Sequence, residues 1–321
     1  MLKRIYITRR IPQPAIDLLA AQFDVRIWDS AEERVPRDVL LREAADADGV
    51  LAQLSDRIDR EFLDAAPRCR IVADMAVGYD NADVPAMTER GVLLTNTPDV
   101  LTECTADVAW ALLMAAARRV VEGHKLMENG GWRGWSPFFL LGQDVAGATI
   151  GIVGAGRIGA AIARRARAFN MRVLYHNRRR APQLEAALGA EPREFDALLA
   201  ESDYVVMSAP LTAETRGMFD ARAFAQMKTS AVFVNVARGG CVVERDLYEA
   251  LKAGRPWAAG VDVFEVEPTP RDNPLFSLPN FVATPHVGSA TLATRTAMAM
   301  LAARNLAAVL SGGKPLTPVN A

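Results

Sequence analysis

The sequence predicts an α/β protein with two doubly wound parallel-sheet domains. In the first hundred residues, short apolar runs typical of strands alternate with segments whose apolar residues have helical spacing. A glycine-rich turn at residues 154–159 then follows a β-branched apolar run and opens another helical segment. Strand and helix patterns continue to alternate after residue 180. Such alternation is typical of parallel sheets with helices on both faces.

The first domain contains five predicted strands, and helical segments separate them. The strands are predicted over residues 4–8, 25–28, 49–54, 70–76 and 92–96. The helices are predicted over residues 12–23, 35–47, 59–66 and 82–90. A single long helix is predicted over residues 101–123, and it leads into the second domain.

The glycine-rich turn has the sequence Gly154-Ala155-Gly156-Arg157-Ile158-Gly159. In a dinucleotide site the first glycine permits a tight turn, the second lets a pyrophosphate approach the backbone, and the third permits close packing of helix and strand. The free N–H groups at the start of the helix then face the phosphates. Between a strand pattern and a helix pattern, the turn therefore predicts a dinucleotide-binding Rossmann domain, with a purely structural turn as the alternative.

The residues after the next strand indicate which dinucleotide binds. A site for NAD has a carboxylate about 20 residues beyond the glycines, where it holds the ribose hydroxyls. This chain has Asn177, Arg178, Arg179 and Arg180 there instead. Guanidinium groups are suited to a 2′-phosphate, so we expect NADP(H) to be preferred, with NAD(H) also possible. The alternative is a solvated basic loop.

Composition limits the class of partner. The 37 lysines and arginines nearly balance the 38 aspartates and glutamates, which gives no reason to expect nucleic acid or a membrane as partner. The three cysteines are far apart and no histidine cluster has metal-ligand spacing, so no metal site is expected. The first residues lack the features of a signal peptide. We expect a cytoplasmic protein that acts on a small molecule.

Three polar residues come directly after strand patterns in the second half of the chain. They are Arg238, Glu267 and His286. A doubly wound sheet places its ligand at the carboxyl ends of its strands, so these side chains are candidates for catalysis. His286 is the strongest candidate, because it is one of three histidines and is followed by Gly288-Ser289. A structural role is the alternative for each.

Over nearly its whole length the sequence resembles the D-isomer-specific 2-hydroxyacid dehydrogenases. The motifs that carry the resemblance lie in order at residues 75–81, 96–98, 101–119, 154–159, 235–240, 260–265, 267–268 and 285–291. Within the family the chain is most similar to the glyoxylate/hydroxypyruvate reductases. The features shared with that subgroup are residues 131–137, the arginines after the second strand of the nucleotide unit, and residues 286–291.

The resemblance implies a discontinuous, flavodoxin-like substrate domain formed by residues 1–99 and 287–321. The Rossmann cofactor domain, residues 100–286, is inserted between them, and the active site is the cleft. In this family Arg238 would bind the substrate carboxylate and polarise the keto oxygen. His286 would act as general acid/base on that oxygen, and Glu267 would hydrogen-bond the imidazole.

The resemblance also implies further contacts with cofactor and substrate. Cofactor contacts outside the glycine turn and the arginine segment fall on Thr105, Pro210, Thr215, Val236, Ala237, Asp262 and Gly288. Substrate contacts fall on Leu54, Val77 and Gly78, and on Trp135 of the partner subunit, which implies a homodimer. Asp99 departs from the common pattern, since relatives often have glycine there.

The principal hypothesis is an NADPH-preferring reductase that converts small 2-keto acids, glyoxylate and hydroxypyruvate, to D-2-hydroxy acids. One alternative is an NAD-dependent D-2-hydroxyacid dehydrogenase for another 2-keto acid, of the phosphoglycerate or ketogluconate type. The other is a nucleotide-sensing, corepressor-like binding module.

Overall fold

The computed structural model describes residues 2–320. The chain divides into two compact units. The first contains the residues up to Leu101 and those from Ser289 onward, and the second contains Thr102–Gly288. The sequence predicts boundaries after residues 99 and 286, and the observed division lies after residues 101 and 288.

Residues 2–320 form twelve strands and twelve α-helices. The strands are β1 (Arg4–Ile7), β2 (Asp24–Ile27), β3 (Gly49–Ala52), β4 (Ile71–Asp74), β5 (Leu93–Thr95), β6 (Thr149–Val153), β7 (Arg172–His176), β8 (Glu191–Pro192), β9 (Tyr204–Met207), β10 (Val232–Asn235), β11 (Ala258–Val261) and β12 (Phe281–Ala283). The helices are α1 (Gln13–Ala20), α2 (Arg37–Ala44), α3 (Arg60–Ala65), α4 (Val84–Glu89), α5 (Thr102–Ala117), α6 (Val120–Glu128), α7 (Arg157–Ala168), α8 (Pro182–Leu188), α9 (Phe195–Glu201), α10 (Ala221–Gln226), α11 (Glu244–Lys252) and α12 (Leu292–Leu310). None of these helices is both long enough and apolar enough to span a bilayer.

The first unit is built on a five-stranded parallel sheet with the order β2-β1-β3-β4-β5. This is the flavodoxin-like order, in which β2 is added on one side of β1 and β3 to β5 on the other, so the switch point lies between β1 and β3. All residues of β3 and β4 are buried, as expected for central strands covered on both faces. The predicted α/β class is confirmed for this unit.

Helices cover both faces of the first sheet. On one face, α2, α3 and α4 contribute residues such as Leu40, Phe62 and Met87 to a cluster with Val50 and Val72. On the other face α12, near the end of the chain, packs against α1, β3 and β4. The two separated stretches of sequence therefore share one core.

The second unit contains a seven-stranded parallel sheet with the order β12-β11-β10-β9-β6-β7-β8. The order reverses at β6, from which β7 and β8 extend one way and β9 to β12 the other, as in a Rossmann domain. Alternate residues of β6 face two separate clusters. Ile150 and Ile152 pack in the cluster that contains residues of α5 and α7, and Val153 packs in the opposite one. The predicted doubly wound sheet is confirmed.

The prediction of one continuous helix over residues 101–123 is wrong, because two helices, α5 and α6, occupy this segment. α5 ends at Ala117, and Arg119 adopts a left-handed conformation with φ 55° before α6 begins. At this helix end the carbonyl of Ala117 accepts a hydrogen bond from the N–H of Gln143 (2.9 Å). The Arg119 guanidinium bonds Glu122 at 2.7 and 2.8 Å. Apolar periodicity does not reveal this break, because the apolar pattern continues past Arg119 and the bond to Gln143 joins residues 26 positions apart (143 against 117).

Asp99 has a φ of 71°, which is the left-handed region. Glycine adopts this conformation without steric cost, and aspartate is one of the residues that tolerates it best. The backbone conformation at this position is therefore one that favours glycine, the residue that the family resemblance implies here, and one that aspartate can adopt.

Candidate active site

Arg238, Glu267 and His286 lie at the carboxyl edge of the seven-stranded sheet. They follow β10, β11 and β12, which are adjacent strands in this sheet. The parallel arrangement therefore brings residues that are far apart in sequence to one edge. The His286 Nδ1 atom lies 2.7 Å from Glu267 Oε2, which is a hydrogen bond between the two side chains.

The Glu267 carboxylate is held by two donors. Its Oε2 atom accepts from His286, and Oε1 accepts from the N–H of Phe264 (3.0 Å). Partial burial raises the pKa of this carboxyl, but the hydrogen bond and charge of His286, the Phe264 N–H and the charge of Arg238 together outweigh burial. The pKa of Glu267 therefore lies below its usual range, and an ionised carboxylate faces the imidazole.

His286 has an unusual backbone conformation, with φ 52°. Left-handed φ in a residue other than glycine costs on the order of 1–3 kcal/mol and persists only where its surroundings enforce it. The His286 N–H donates to the carbonyl of Asp262 (2.9 Å) and to that of Thr284 (3.1 Å). Because Nδ1 faces Glu267, Nε2 is the ring nitrogen directed away from the carboxylate and suited to a reacting group.

Asp262 anchors the loop that carries His286. Its side chain is buried, and its carboxylate accepts three hydrogen bonds from this loop. The donors are Thr284 Oγ1 (2.6 Å), Val287 N (2.8 Å) and Gly288 N (2.8 Å). One carboxylate thus fixes the residues on both sides of His286, a contact that the predicted cofactor role of Asp262 did not include.

The backbone around Arg238 is fixed by Asn235, a buried residue at the end of β10. Asn235 accepts from the N–H of Ala237 (3.0 Å) and donates to the carbonyl of Arg238 (2.9 Å). A Cβ atom at Gly239 would lie 1.8 Å from the carbonyl carbon of Phe264, so this position requires glycine. The partly exposed guanidinium of Arg238 is close enough to influence the pKa of Glu267.

The glycine turn has the geometry that a dinucleotide requires. Gly154 has φ 95°, and a Cβ there would lie 2.4 Å from the backbone nitrogen of Ala209. A Cβ at Gly156 would meet no atom within 4 Å, so a ligand can approach the backbone at this point. Helix α7 begins at Arg157, and the first N–H groups of a helix lack intrahelical partners and attract phosphate. These residues fit a bound dinucleotide.

The segment after β7 lies against the glycine turn. Asn177 Oδ1 accepts a hydrogen bond from the N–H of Ala155 (2.7 Å). Arg180 is bound by Glu185, with distances of 3.0 and 2.6 Å. Arg178 lies 3.4 Å from Glu214, and the side chain of Arg178 is largely exposed. Arg178 and Arg179 are therefore better placed than Arg180 to meet a ligand.

The remaining predicted cofactor residues of the second unit fall near the same edge of its sheet. Thr105 Oγ1 donates to the carbonyl of the buried Gly288 (3.0 Å). Thr215 Oγ1 donates to the carbonyl of Pro210 (2.7 Å), closing a turn after β9. Val236 and Ala237 follow β10 directly.

The predicted substrate residues of the first unit follow two neighbouring strands. Leu54 lies in the turn after β3 and is partly exposed, and Val77 and Gly78 lie in the loop after β4. Asn96 Nδ2 donates to the carbonyl of Val77 (2.8 Å), which fixes that loop. In the second unit, Trp135 lies in an irregular segment with 83% of its surface exposed.

Sequence reasoning missed three residues that shape these sites. Asn235 and Thr284 act through hydrogen bonds to nearby loops, and Glu214 pairs with Arg178. The sequence did contain an indication for Asn235, because a polar side chain at the end of a buried strand is expected to be hydrogen-bonded. The pairing of Glu214 could not be read from the sequence, because it joins loops 36 residues apart.

A comparison with protein-family models matches residues 110–288 to the NAD-binding domain of the D-isomer specific 2-hydroxyacid dehydrogenases. The glyoxylate reductase of Thermococcus kodakarensis is 51% identical over 100% of this chain and 97% of its own length. The chain belongs to the D-isomer-specific 2-hydroxyacid dehydrogenases. It is therefore an NAD(P)-dependent oxidoreductase that uses a nicotinamide cofactor.

Solved structures with related sequences have the same fold. The TT0316 protein of Thermus thermophilus superposes with a TM-score of 0.92 and 43% identity, covering 98% of this chain and 99% of that one. An NADPH-dependent glyoxylate/hydroxypyruvate reductase of Sinorhizobium meliloti, solved with NADP and malonate, has a TM-score of 0.86 and 34% identity. That match covers 99% of this chain and 97% of the other.

The anchoring role of Asp262 is testable by the variant Asp262→Asn. An amide would direct N–H groups at the loop donors, so we expect the free energy of unfolding to fall by about 1.5–3 kcal/mol. We also expect kcat to fall, because His286 loses its fixed position. Thermal unfolding and steady-state kinetics measure the two effects. Thr284→Val, which removes one donor of three, should have smaller effects, and an Asp262→Asn variant as stable and active as wild type would disprove the role.

Proposed function

We propose that this protein is an NADPH-preferring reductase of small 2-keto acids, glyoxylate and hydroxypyruvate, which it converts to 2-hydroxy acids of D configuration where a stereocentre forms. The 2.7 Å hydrogen bond between His286 and an ionised Glu267, at the carboxyl edge of the cofactor-binding sheet, carries this proposal. The curated relatives with which the chain shares half its residues are glyoxylate reductases, which supports the same substrate class.

Arg238, His286 and Glu267 would have separate roles in the reduction. A bound nicotinamide dinucleotide supplies the hydride. Arg238 binds the substrate carboxylate through charge-assisted hydrogen bonds and polarises the keto oxygen. His286 donates the proton on Nε2 to that oxygen, and Glu267 holds Nδ1–H and stabilises the imidazolium before transfer. On the family resemblance, Leu54, Val77 and Gly78 remain proposed substrate contacts of the first unit.

The preference for NADPH rests on the segment after β7. It offers Arg178 and Arg179, and it has no carboxylate where an NAD site places one. The relative from Sinorhizobium meliloti is NADPH-dependent, which supports this assignment.

We further propose a homodimer in the cytoplasm. Large apolar side chains are exposed on α6 and on the irregular segment that follows it. They are Val120, Met127, Trp132, Trp135, Phe138, Phe139 and Leu141. An apolar surface of this kind marks an interaction site, and we assign it to a second copy of the chain, with Trp135 reaching the partner's substrate. The three cysteines are free thiols, as in proteins of reducing compartments.

The substrate assignment is tested by following the absorbance of NADPH and NADH with glyoxylate, hydroxypyruvate, pyruvate and 2-ketogluconate. We expect fast oxidation of NADPH with glyoxylate and hydroxypyruvate, and slower oxidation of NADH. Turnover restricted to NADH or to 2-ketogluconate would replace this proposal with another dehydrogenase of the family. Binding of both cofactors without turnover of any acid would favour a nucleotide-sensing module.

The role of His286 is tested by His286→Ala. Loss of general acid/base catalysis should lower kcat for reduction by at least about 10²-fold. The affinity for NADPH, measured by fluorescence titration, should change little, because the imidazole acts on the substrate. His124→Ala removes another exposed histidine, on α6, and serves as the comparison: its kcat should fall far less than that of His286→Ala. Near-wild-type turnover in His286→Ala would remove this residue from the mechanism.

The cofactor preference is tested by replacing Arg178 and Arg179 with alanine together. Loss of a charge-assisted contact of about 1.5–3 kcal/mol should raise KM for NADPH roughly ten- to hundredfold and leave KM for NADH nearly unchanged. The control is Arg180→Ala, whose guanidinium is bound by Glu185. Equal increases for both cofactors would contradict the assignment.

A further inference from the structure

The loops after β7 and β9 meet through an ion pair. Arg178 follows β7 and Glu214 follows β9, and these strands lie on either side of β6 in the sheet. The distance from Arg178 Nη1 to Glu214 Oε2 is 3.4 Å. The pair therefore spans the carboxyl end of β6, which is where the glycine turn begins.

Glu214 is presented by a closed turn. The N–H of Thr212 donates to Thr215 Oγ1 (2.8 Å), and Thr215 Oγ1 donates to the carbonyl of Pro210 (2.7 Å). Thr212 Oγ1 lies 3.4 Å from Glu214 Oε2. These contacts fix the turn that carries Glu214, whose carboxylate lies within ion-pair distance of Arg178.

The ion pair is easily exchanged for a ligand. The side chains of Arg178 and Glu214 are 78% and 67% exposed, and pairs with such exposure contribute little to stability. Arg180, by contrast, makes two hydrogen bonds to Glu185 and is not free to turn. A phosphate can therefore replace Glu214 as the partner of Arg178 at little cost.

We propose that Glu214 determines how strongly the site discriminates between NADPH and NADH, an inference that rests on the proposed function. Its carboxylate competes with the 2′-phosphate for Arg178 and repels it. The same carboxylate is an acceptor for the 2′-hydroxyl of NADH. Glu214 thus supplies, from the loop after β9, the acidic group that is absent after β7.

The experiment measures binding without turnover. Calorimetric titration measures the affinities of the purified protein for 2′,5′-ADP and for ADP. Their ratio measures how much the 2′-phosphate contributes to binding. In Glu214→Gln we expect this ratio to rise severalfold in favour of 2′,5′-ADP, up to about fivefold, as for loss of one exposed charge interaction. The rise should shrink at high salt, because screening weakens exposed charges.

The matched control is Glu201→Gln. Glu201 is also bound to arginines, Arg172 (3.1 Å) and Arg193 (2.9 Å), but it ends α9 just before β9, at the amino edge of the sheet. The ratio of affinities for 2′,5′-ADP and ADP in Glu201→Gln should equal that of the wild-type protein. An unchanged ratio in Glu214→Gln, or an equal rise in both variants, would overturn the inference and leave the reductase activity in place. Wild-type protein that binds neither compound would overturn both the inference and the proposed cofactor site.

Discussion

The site depends on the three hydrogen bonds that the Asp262 carboxylate accepts from the loop after β12. His286 lies in the middle of that loop with a left-handed backbone, a conformation that the loop would not keep without such restraints. The carbonyl of Asp262 also accepts the N–H of His286. Since Asp262 follows β11 and is buried at the carboxyl edge of the sheet, the strand order of the Rossmann domain determines where the imidazole points.

The restrained loop makes the electrostatics of the site possible. Glu267 stays ionised because His286, the Phe264 N–H and the charge of Arg238 offset the effect of burial on its pKa. Because its pKa is lowered by folding, Glu267 stabilises the folded state at pH values above the ordinary pKa of a glutamate side chain. This contribution is lost as the pH falls through the pKa that the carboxyl has in the folded protein. The arrangement therefore places an ionised carboxylate beside the imidazole that we propose as the general acid.

Apolar periodicity is a local pattern, and it was sufficient for the fold class. The hydrogen bond between Glu267 and His286 was implied by the family resemblance, since strand ends alone do not show that two side chains converge. The sequence was not sufficient for contacts between distant loops. The contact of Gln143 with the end of α5 and the pairing of Arg178 with Glu214 both join separate segments, the second of them through the strand order β9-β6-β7. The family resemblance implies a cofactor contact for Asp262, and that role stays a prediction. The three loop donors that its carboxylate accepts come from residues 22 to 26 positions away, and only the packed structure reveals them.

The central claim, that Glu267 holds His286 through Nδ1 and leaves Nε2 to exchange the proton, is tested most directly by NMR. Long-range proton–nitrogen spectra of protein labelled with nitrogen-15 histidine resolve the two ring nitrogens, and His286→Ala identifies the signals among the three histidines. We predict that the neutral ring of His286 carries its proton on Nδ1, where Glu267 accepts it, and leaves Nε2 bare. A neutral ring protonated on Nε2 and bare on Nδ1 would contradict this claim.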